Sequence, residues 1–407
     1  MYIKRERYLE KIRPYYDVDL IKVLTGVRRC GKSVLLKQIE NDFLSNGFDS
    51  THILSIEFED LRFEKIRTAE KLNKYINKQI KDKGKYLFFL DEIQHVRNFE
   101  KALASFRNTI NCNIFITGSN SKLLSGKMAT LLVGRCVEFK ILPFSFSESY
   151  EFVNDIGRKT TPDEFILDYI KWGGFPLRFS FTRENDIKRY LEQTYKGILD
   201  IDVVTERAKI NRHNFEKIAN YIMANSGKEF SSRNIETFFL NQNSEVVDKK
   251  TIYRYLDKME KACLINRVKR FNIKGKQAMT YVEKQYVVDP GFKKINTNLI
   301  NFEDTFSLEN IIYNELIVRD YEVYTGKTYK GEVDFVAING NKKCFIQVAY
   351  YLTNKETIER EFEAFKPIND AAPKYVFSLD KFDYSRDGIE HINIVDYLLG
   401  IVDINLM

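Results

Sequence analysis

The 407-residue chain is 44% hydrophobic and 30% charged, rich in Phe (31) and Tyr (24), and long enough for about three domains. No apolar run approaches the roughly 20 residues that span a bilayer, and the leading MYIKRERYLEKIR is too charged for a secretory signal, so a cytoplasmic protein without membrane contact is expected. The formal net charge is +7, and the stretch from Lys249 to Lys276 alone carries ten basic residues against Asp257 and Glu260, which leaves the rest close to neutral.

In chain order, Arg5, Arg7, Tyr8 and Leu9 open a short helix that ends near Pro14, a cover for an adenine ring. A strand over Leu20–Leu24 leads into Gly26-Val27-Arg28-Arg29-Cys30-Gly31-Lys32-Ser33-Val34, the phosphate-loop pattern GxxxxGK followed by Ser. The next segment places Leu35, Leu36, Ile39 and Phe43 on one helical face and stops at Gly47. Loop N–H groups and the helix N-terminus then point at phosphate oxygens, Lys32 meets the β and γ phosphates of ATP, and the Ser33 hydroxyl holds Mg²⁺. Cys30, Cys112, Cys136, Cys263 and Cys344 stand singly, which points to a reduced compartment and no zinc site; Cys30 reads as a small filler within the loop.

Strands over Ile53–Phe58 and Tyr86–Leu90 alternate with a helix carrying Leu72, Ile76 and Ile80, which implies a parallel, doubly wound α/β sheet. The second of these strands ends in Asp91-Glu92, a Walker B element in which Asp91 serves the metal and Glu92 polarises the attacking water. After a helix over Phe99–Ile110, the strand Asn113–Thr117 ends in polar residues, and Asn120 or Thr117 is the candidate to sense the γ-phosphate. Arg135, after Gly134, is a candidate cation for the transferred phosphoryl group, from its own chain or a neighbour, with Arg28 and Arg29 as alternatives.

The runs TGVRRCGKS, FFLDEIQ, TGSNS, LVGR with LPFSFSE, and GGFP together resemble a prokaryotic family of AAA-type ATP-binding proteins with a C-terminal restriction-endonuclease-like domain of unknown function. The resemblance covers nearly the whole chain. It implies a P-loop NTPase core over residues 1–150, a helical lid over 151–210, a winged helix over 211–295 and a small nuclease-like α/β domain over 296–407.

Within the lid, Trp172-Gly173-Gly174-Phe175-Pro176 breaks two helices, its glycines letting backbones approach. The winged helix also reads from periodicity: Phe215, Ile218, Ile222 and Met223 mark one helix, Ser231 or Ser232 caps a second, and Ile252, Tyr255, Leu256 and Met259 mark a third. Two extended runs, Leu264–Phe271 and Tyr281–Val288, follow. Lys250, Arg254, Lys258 and Lys261 on the third helix, with Lys274 and Lys276 at the ribbon tip, form a candidate DNA-phosphate surface.

The tail resembles the PD-(D/E)xK nuclease core, with Asp334 in the place of its Asp. Gln347 stands where the second acid belongs and Ala349 where the lysine belongs, so Glu309, Asp334 and Gln347 form a degenerate site, rescued only if a lysine such as Lys355 enters it. The expected function is a Mg²⁺-dependent ATPase whose nucleotide state moves DNA-engaging domains. The alternatives are an ATP-dependent signalling switch with a protein partner and an ATP-gated nuclease. Oligomeric state is not readable from the sequence.

Overall fold

The computed structural model describes residues 3–118, 134–203, 211–241, 247–275, 277–296, 304–328 and 331–406. Contacts divide the chain into two compact units, Met1–Ile141 with Lys261–Cys263, and Leu142–Glu260 with Leu264–Met407.

In the first unit, α1 (Glu6–Ile12) precedes β1 (Ile21–Thr25), α2 (Lys32–Ser45), β2 (Ile53–Glu57), α3 (Ala69–Gln79), β3 (Tyr86–Asp91), α4 (Phe99–Thr109), β4 (Cys112–Gly118) and β5 (Cys136–Lys140). The strands form a five-stranded sheet in the order β2-β3-β4-β1-β5, and every pairing is parallel. β1 and β3 are buried along their whole length, as continuous apolar runs covered on both faces require. One face packs Ile21, Val23, Phe88 and Ile116 against Leu72, Ile76, Leu103 and Phe106 of α3 and α4. On α2, Leu35, Leu36, Ile39 and Phe43 are buried as their spacing predicts, and the Phe43 ring meets Phe115 and Phe89 edge-on. β4 lies between β1 and β3, so the phosphate loop and the Walker B strand are separated by one strand whose C-terminal residues face both.

The second unit opens with α5 (Phe146–Asp155) and α6 (Pro162–Trp172). Each begins with a capping box, Ser145 with Glu148 and Thr161 with Glu164, and Pro162 occupies the first helical turn. α6 ends at Gly173 (φ +68°), and a Cβ on Gly174 would lie 1.9 Å from the Phe144 carbonyl oxygen, so the chain approaches itself there as only glycine permits. Asp289 locks the turn: its carboxylate accepts the Gly174 N–H at 2.7 Å and the Gly291 N–H at 2.9 Å. α7 (Glu184–Ile198) is followed by α8 (Arg212–Ala224), α9 (Ser232–Asn241), α10 (Lys249–Lys261), β6 (Ile265–Asn272), β7 (Gln277–Val287) and α11 (Pro290–Asn296).

Then come α12 (Asp304–Val318), β8 (Glu322–Lys327), β9 (Glu332–Asn339), β10 (Lys342–Val348), α13 (Lys355–Glu363), β11 (Lys374–Ser378), β12 (Ile389–Asn393) and α14 (Ile394–Leu399). Asn339 and Lys342 pair across a tight turn with Gly340 at φ +59°, the hairpin expected from Asn-Gly. β12 gives way to α14 at Ile394, where the Asn393 side chain caps the helix by accepting the Asp396 N–H. One detail differs from the sequence reading. The β6–β7 ribbon is not an isolated pair: β6 runs parallel to β8, with Arg270 opposite Thr325, which makes one mixed seven-stranded sheet in the order β12-β11-β10-β9-β8-β6-β7.

Candidate active site and a buried ion cluster

The phosphate loop leaves β1 at Thr25. Gly26 has φ +148°, and a Cβ there would sit 2.1 Å from the Ile141 carbonyl oxygen; Gly31 has φ +101°. Both positions therefore demand glycine. The buried Lys32 ammonium donates to the Gly26 and Val27 carbonyls, each at 3.1 Å, which holds it inside the loop. The Cys30 thiol is buried and bonds the Ile141 carbonyl at 3.3 Å, consistent with a filler. Arg28 approaches Glu59 at 3.8 Å, and the exposed Arg29 adopts φ +66°. Arg5, only 1% exposed, donates to the Cys30 carbonyl at 3.2 Å and lies 4.5 Å from the Tyr8 ring, so the N-terminal helix is anchored to the loop.

At the end of β3 the Asp91 carboxylate receives the Thr117 hydroxyl, and the same hydroxyl oxygen accepts the Glu92 N–H at 2.9 Å. Glu92 stands in the left-handed region (φ +53°), and the Gln94 amide donates to its carboxylate. Burial raises the Asp91 carboxyl above the usual aspartate range, opposed by hydrogen bonds from Thr117 and from Ser33, the first residue after Lys32. Ser33 and Asp91 thus converge as two hard oxygen ligands of the kind Mg²⁺ prefers. Both line a groove of about 710 Å³ that also takes in Lys37, Glu57, Arg62 and Phe63. Val34 is half-buried on the first turn of α2. Of the two sensing candidates, Thr117 joins the acids; Asn120 lies outside the described residues.

Arg135 is not brought to this site. Its carbonyl accepts the Ile21 N–H at 2.9 Å, and Cys136, the first residue of β5, pairs with Ile21 at the start of β1. The loop leaves the opposite end of that five-residue strand, about 16 Å away at 3.3 Å per residue and beyond an arginine's reach. Arg135 therefore does not serve its own chain's phosphates.

The second unit brings Glu309 (α12), Asp334 (β9) and Gln347 (β10) near one another, together with a group the sequence reading missed. The Lys284 ammonium on β7 lies 2.8 Å from Glu309, 3.3 Å from Glu332 and 3.5 Å from Asp334. Gln347 Oε1 accepts the Asp334 N–H at 3.2 Å, and Asp334 Oδ2 accepts the Val348 N–H at 2.9 Å. Burial and the neighbouring Glu309 push the Asp334 carboxyl up to about 8, against the pull of Lys284. Lys355 does not enter: its side chain is 89% exposed, near Glu359 on its own helix.

Of the candidate DNA contacts, Lys250, Arg254, Lys261 and Lys274 are exposed, and Lys276 lies outside the described residues. Lys258 is half-buried and reaches the Val203 carbonyl at 3.4 Å. Arg267, counted in the basic stretch, is paired with Asp257 and Glu260 at 2.9 and 2.6 Å, so the charge presented outward is smaller than the sequence sum.

A family model described as an AAA domain matches residues 19–150, and models of two domains of unknown function match 163–302 and 305–397. An uncharacterized protein of Haemophilus influenzae is 32% identical over 405 residues, 98% of each chain. An uncharacterized protein of Methanocaldococcus jannaschii is 33% identical over 402 residues, 94% of this chain and 86% of its own. Among solved structures, the Walker-type ATPase of Pyrococcus abyssi matches 72% of this chain and 96% of its own with a TM-score of 0.51 at 18% identity, a likeness of fold. No helix among the described residues is long and apolar enough to cross a membrane. The end-to-end identity says that the chain belongs to the family of the Haemophilus protein, and residues 19–150 match an AAA domain.

Proposed function

We propose that the protein is a Mg²⁺-dependent ATPase that couples its nucleotide state to DNA engagement through a winged helix (α8–α10 with the β6–β7 ribbon) and a degenerate nuclease-like domain. The observation that carries the ATPase reading is the convergence of Ser33, Asp91, Glu92 and Thr117 beside a phosphate loop whose glycines hold positive φ. Lys32 leaves the carbonyls of its own loop for the β and γ phosphates. Ser33 and Asp91 would hold Mg²⁺, which supplies positive charge at the phosphate oxygens. The Glu92 carboxylate takes the proton of the attacking water, and Thr117 fixes where that carboxylate starts by holding its backbone N–H.

The DNA reading rests on the exposed cations Lys250, Arg254 and Lys261 on α10 and Lys274 at the ribbon tip. Such a surface binds phosphates without regard to sequence and loses affinity steeply with salt. ATP turnover measured with and without single-stranded, duplex and branched DNA, at two salt concentrations, tests it. Stimulation that salt removes is expected, and turnover indifferent to every DNA at low salt rejects the DNA arm in favour of a switch that binds a protein partner.

A further inference from the structure

A PD-(D/E)xK centre implies a divalent metal, and the donor set in this chain does not fit one. A metal there would need oxygens of Glu309 and Asp334 at roughly 2.0–2.6 Å, directed at a common point. Here the Lys284 ammonium lies among them, 2.8 Å from Glu309 Oε1, 3.3 Å from Glu332 Oε1 and 3.5 Å from Asp334 Oδ1. Further oxygens are committed: the Tyr286 hydroxyl also donates to Glu309 Oε1, Asp334 Oδ2 holds the Val348 N–H, and Gln347 Oε1 holds the Asp334 N–H. Lys284 is 3% exposed and Glu309 3%, so the pair is a fixed part of the interior. A lysine carries three donors and no acceptor; with its ammonium between Glu309 and Asp334, Lys284 satisfies these carboxylates from among them, where the motif's own lysine would stand beside a metal.

We infer that Lys284 is the resident cation of this centre and stands in place of the metal. The cluster is then a clasp. It ties β7, which supplies Lys284 and Tyr286, to α12 through Glu309 and to β9 through Glu332 and Asp334. Position 349 fits the same account, because Ala349 is buried and brings no lysine where the resemblance implies one. A second consequence follows from charge. Without Lys284, Glu309 and Asp334 remain buried with no cation beside them, which destabilises the clasp.

The test counts Mn²⁺ by electron paramagnetic resonance on the nucleotide-free full-length chain carrying Asp91→Asn, which disables the metal position of the ATP site and makes the outcome independent of the ATPase reading. No Mn²⁺ site is expected in this background, and adding Lys284→Met should lower the melting temperature of the chain while still gaining no Mn²⁺. A Mn²⁺ site already present in the Asp91→Asn chain and lost on adding Asp334→Asn would overturn the inference, as would a Lys284→Met chain that melts like its parent. Should Lys284→Met not fold, the count in the Asp91→Asn chain, compared with its Asp334→Asn derivative, decides the question.

Discussion

The Thr117 hydroxyl, near the end of β4, donates to the Asp91 carboxylate at the end of β3. Because the same oxygen receives the Glu92 N–H, one side chain sets the position of both Walker B acids. Thr117→Val keeps the shape and removes the bond in both directions, leaving a buried N–H unsatisfied at about 1–3 kcal/mol.

A pH prediction follows from the same contact. Asp91 is raised by burial, and Thr117 is one of the contacts holding it down. A carboxyl whose folded pKa lies above its unfolded one contributes stability below the unfolded value and loses it as pH rises through the folded value. Activity runs the other way, since the metal needs the ionised form. Thr117→Val should therefore move the acid limb of the kcat/KM profile to higher pH, while Thr117→Ser leaves it in place. Superimposable profiles for Val and parent would contradict this role.

Gly26→Ala puts a methyl 2.1 Å from the Ile141 carbonyl oxygen, so the loop must shift away from β5. The expected cost is about 1–3 kcal/mol of stability with weakened ATP binding. Calorimetric titration with ATP and a thermal melt measure the two together, and tight binding by this variant would argue against the loop geometry.

In the second unit, Gly174→Ala meets the Phe144 carbonyl at 1.9 Å, and the contact is backbone on both sides: the Phe144 N–H also donates to the Gly174 carbonyl at 2.9 Å. A loss of about 3 kcal/mol is expected in a denaturant melt. Asp289→Asn, which places an amide where the carboxylate accepts two N–H groups, should lose about 1–3 kcal/mol. A neutral result for both would mean that the Trp172–Pro176 turn is not the anchor described.

Removing Lys250, Arg254 or Lys274 should weaken DNA binding equally across sequences and lower the salt slope by about 1 each. Lys258→Ala should change it less, because that ammonium already reaches the Val203 carbonyl. Equal effects at all four positions would contradict the burial seen on α10.

Features set by short spacing were legible in the sequence. The loop glycines, Lys32 and Ser33 lie within one turn of chain, and an apolar strand running into Asp91-Glu92 marks its own end. What depends on strand pairing was not. Arg135 follows a glycine as an active-site arginine would, but parallel pairing of Cys136 with Ile21 sends it to the far edge of the sheet. Lys284 lies 50 residues before Asp334, inside a run that reads only as a strand, so its place among the acids emerges only when β6 joins β8. A lysine within that strand run was the one available signal. Spacing does not separate Thr117 from Asn120, because nothing in it tells which hydroxyl or amide crosses to Asp91.

ATP binding depends on Lys32 and its turnover on Glu92. Single-turnover hydrolysis and nucleotide binding measured on the parent, Lys32→Ala and Glu92→Gln separate the two roles. Lys32→Ala should lose binding, and Glu92→Gln should bind ATP like the parent while hydrolysing it about 10²–10⁴-fold more slowly. Hydrolysis by both variants at the parent's rate would contradict both roles.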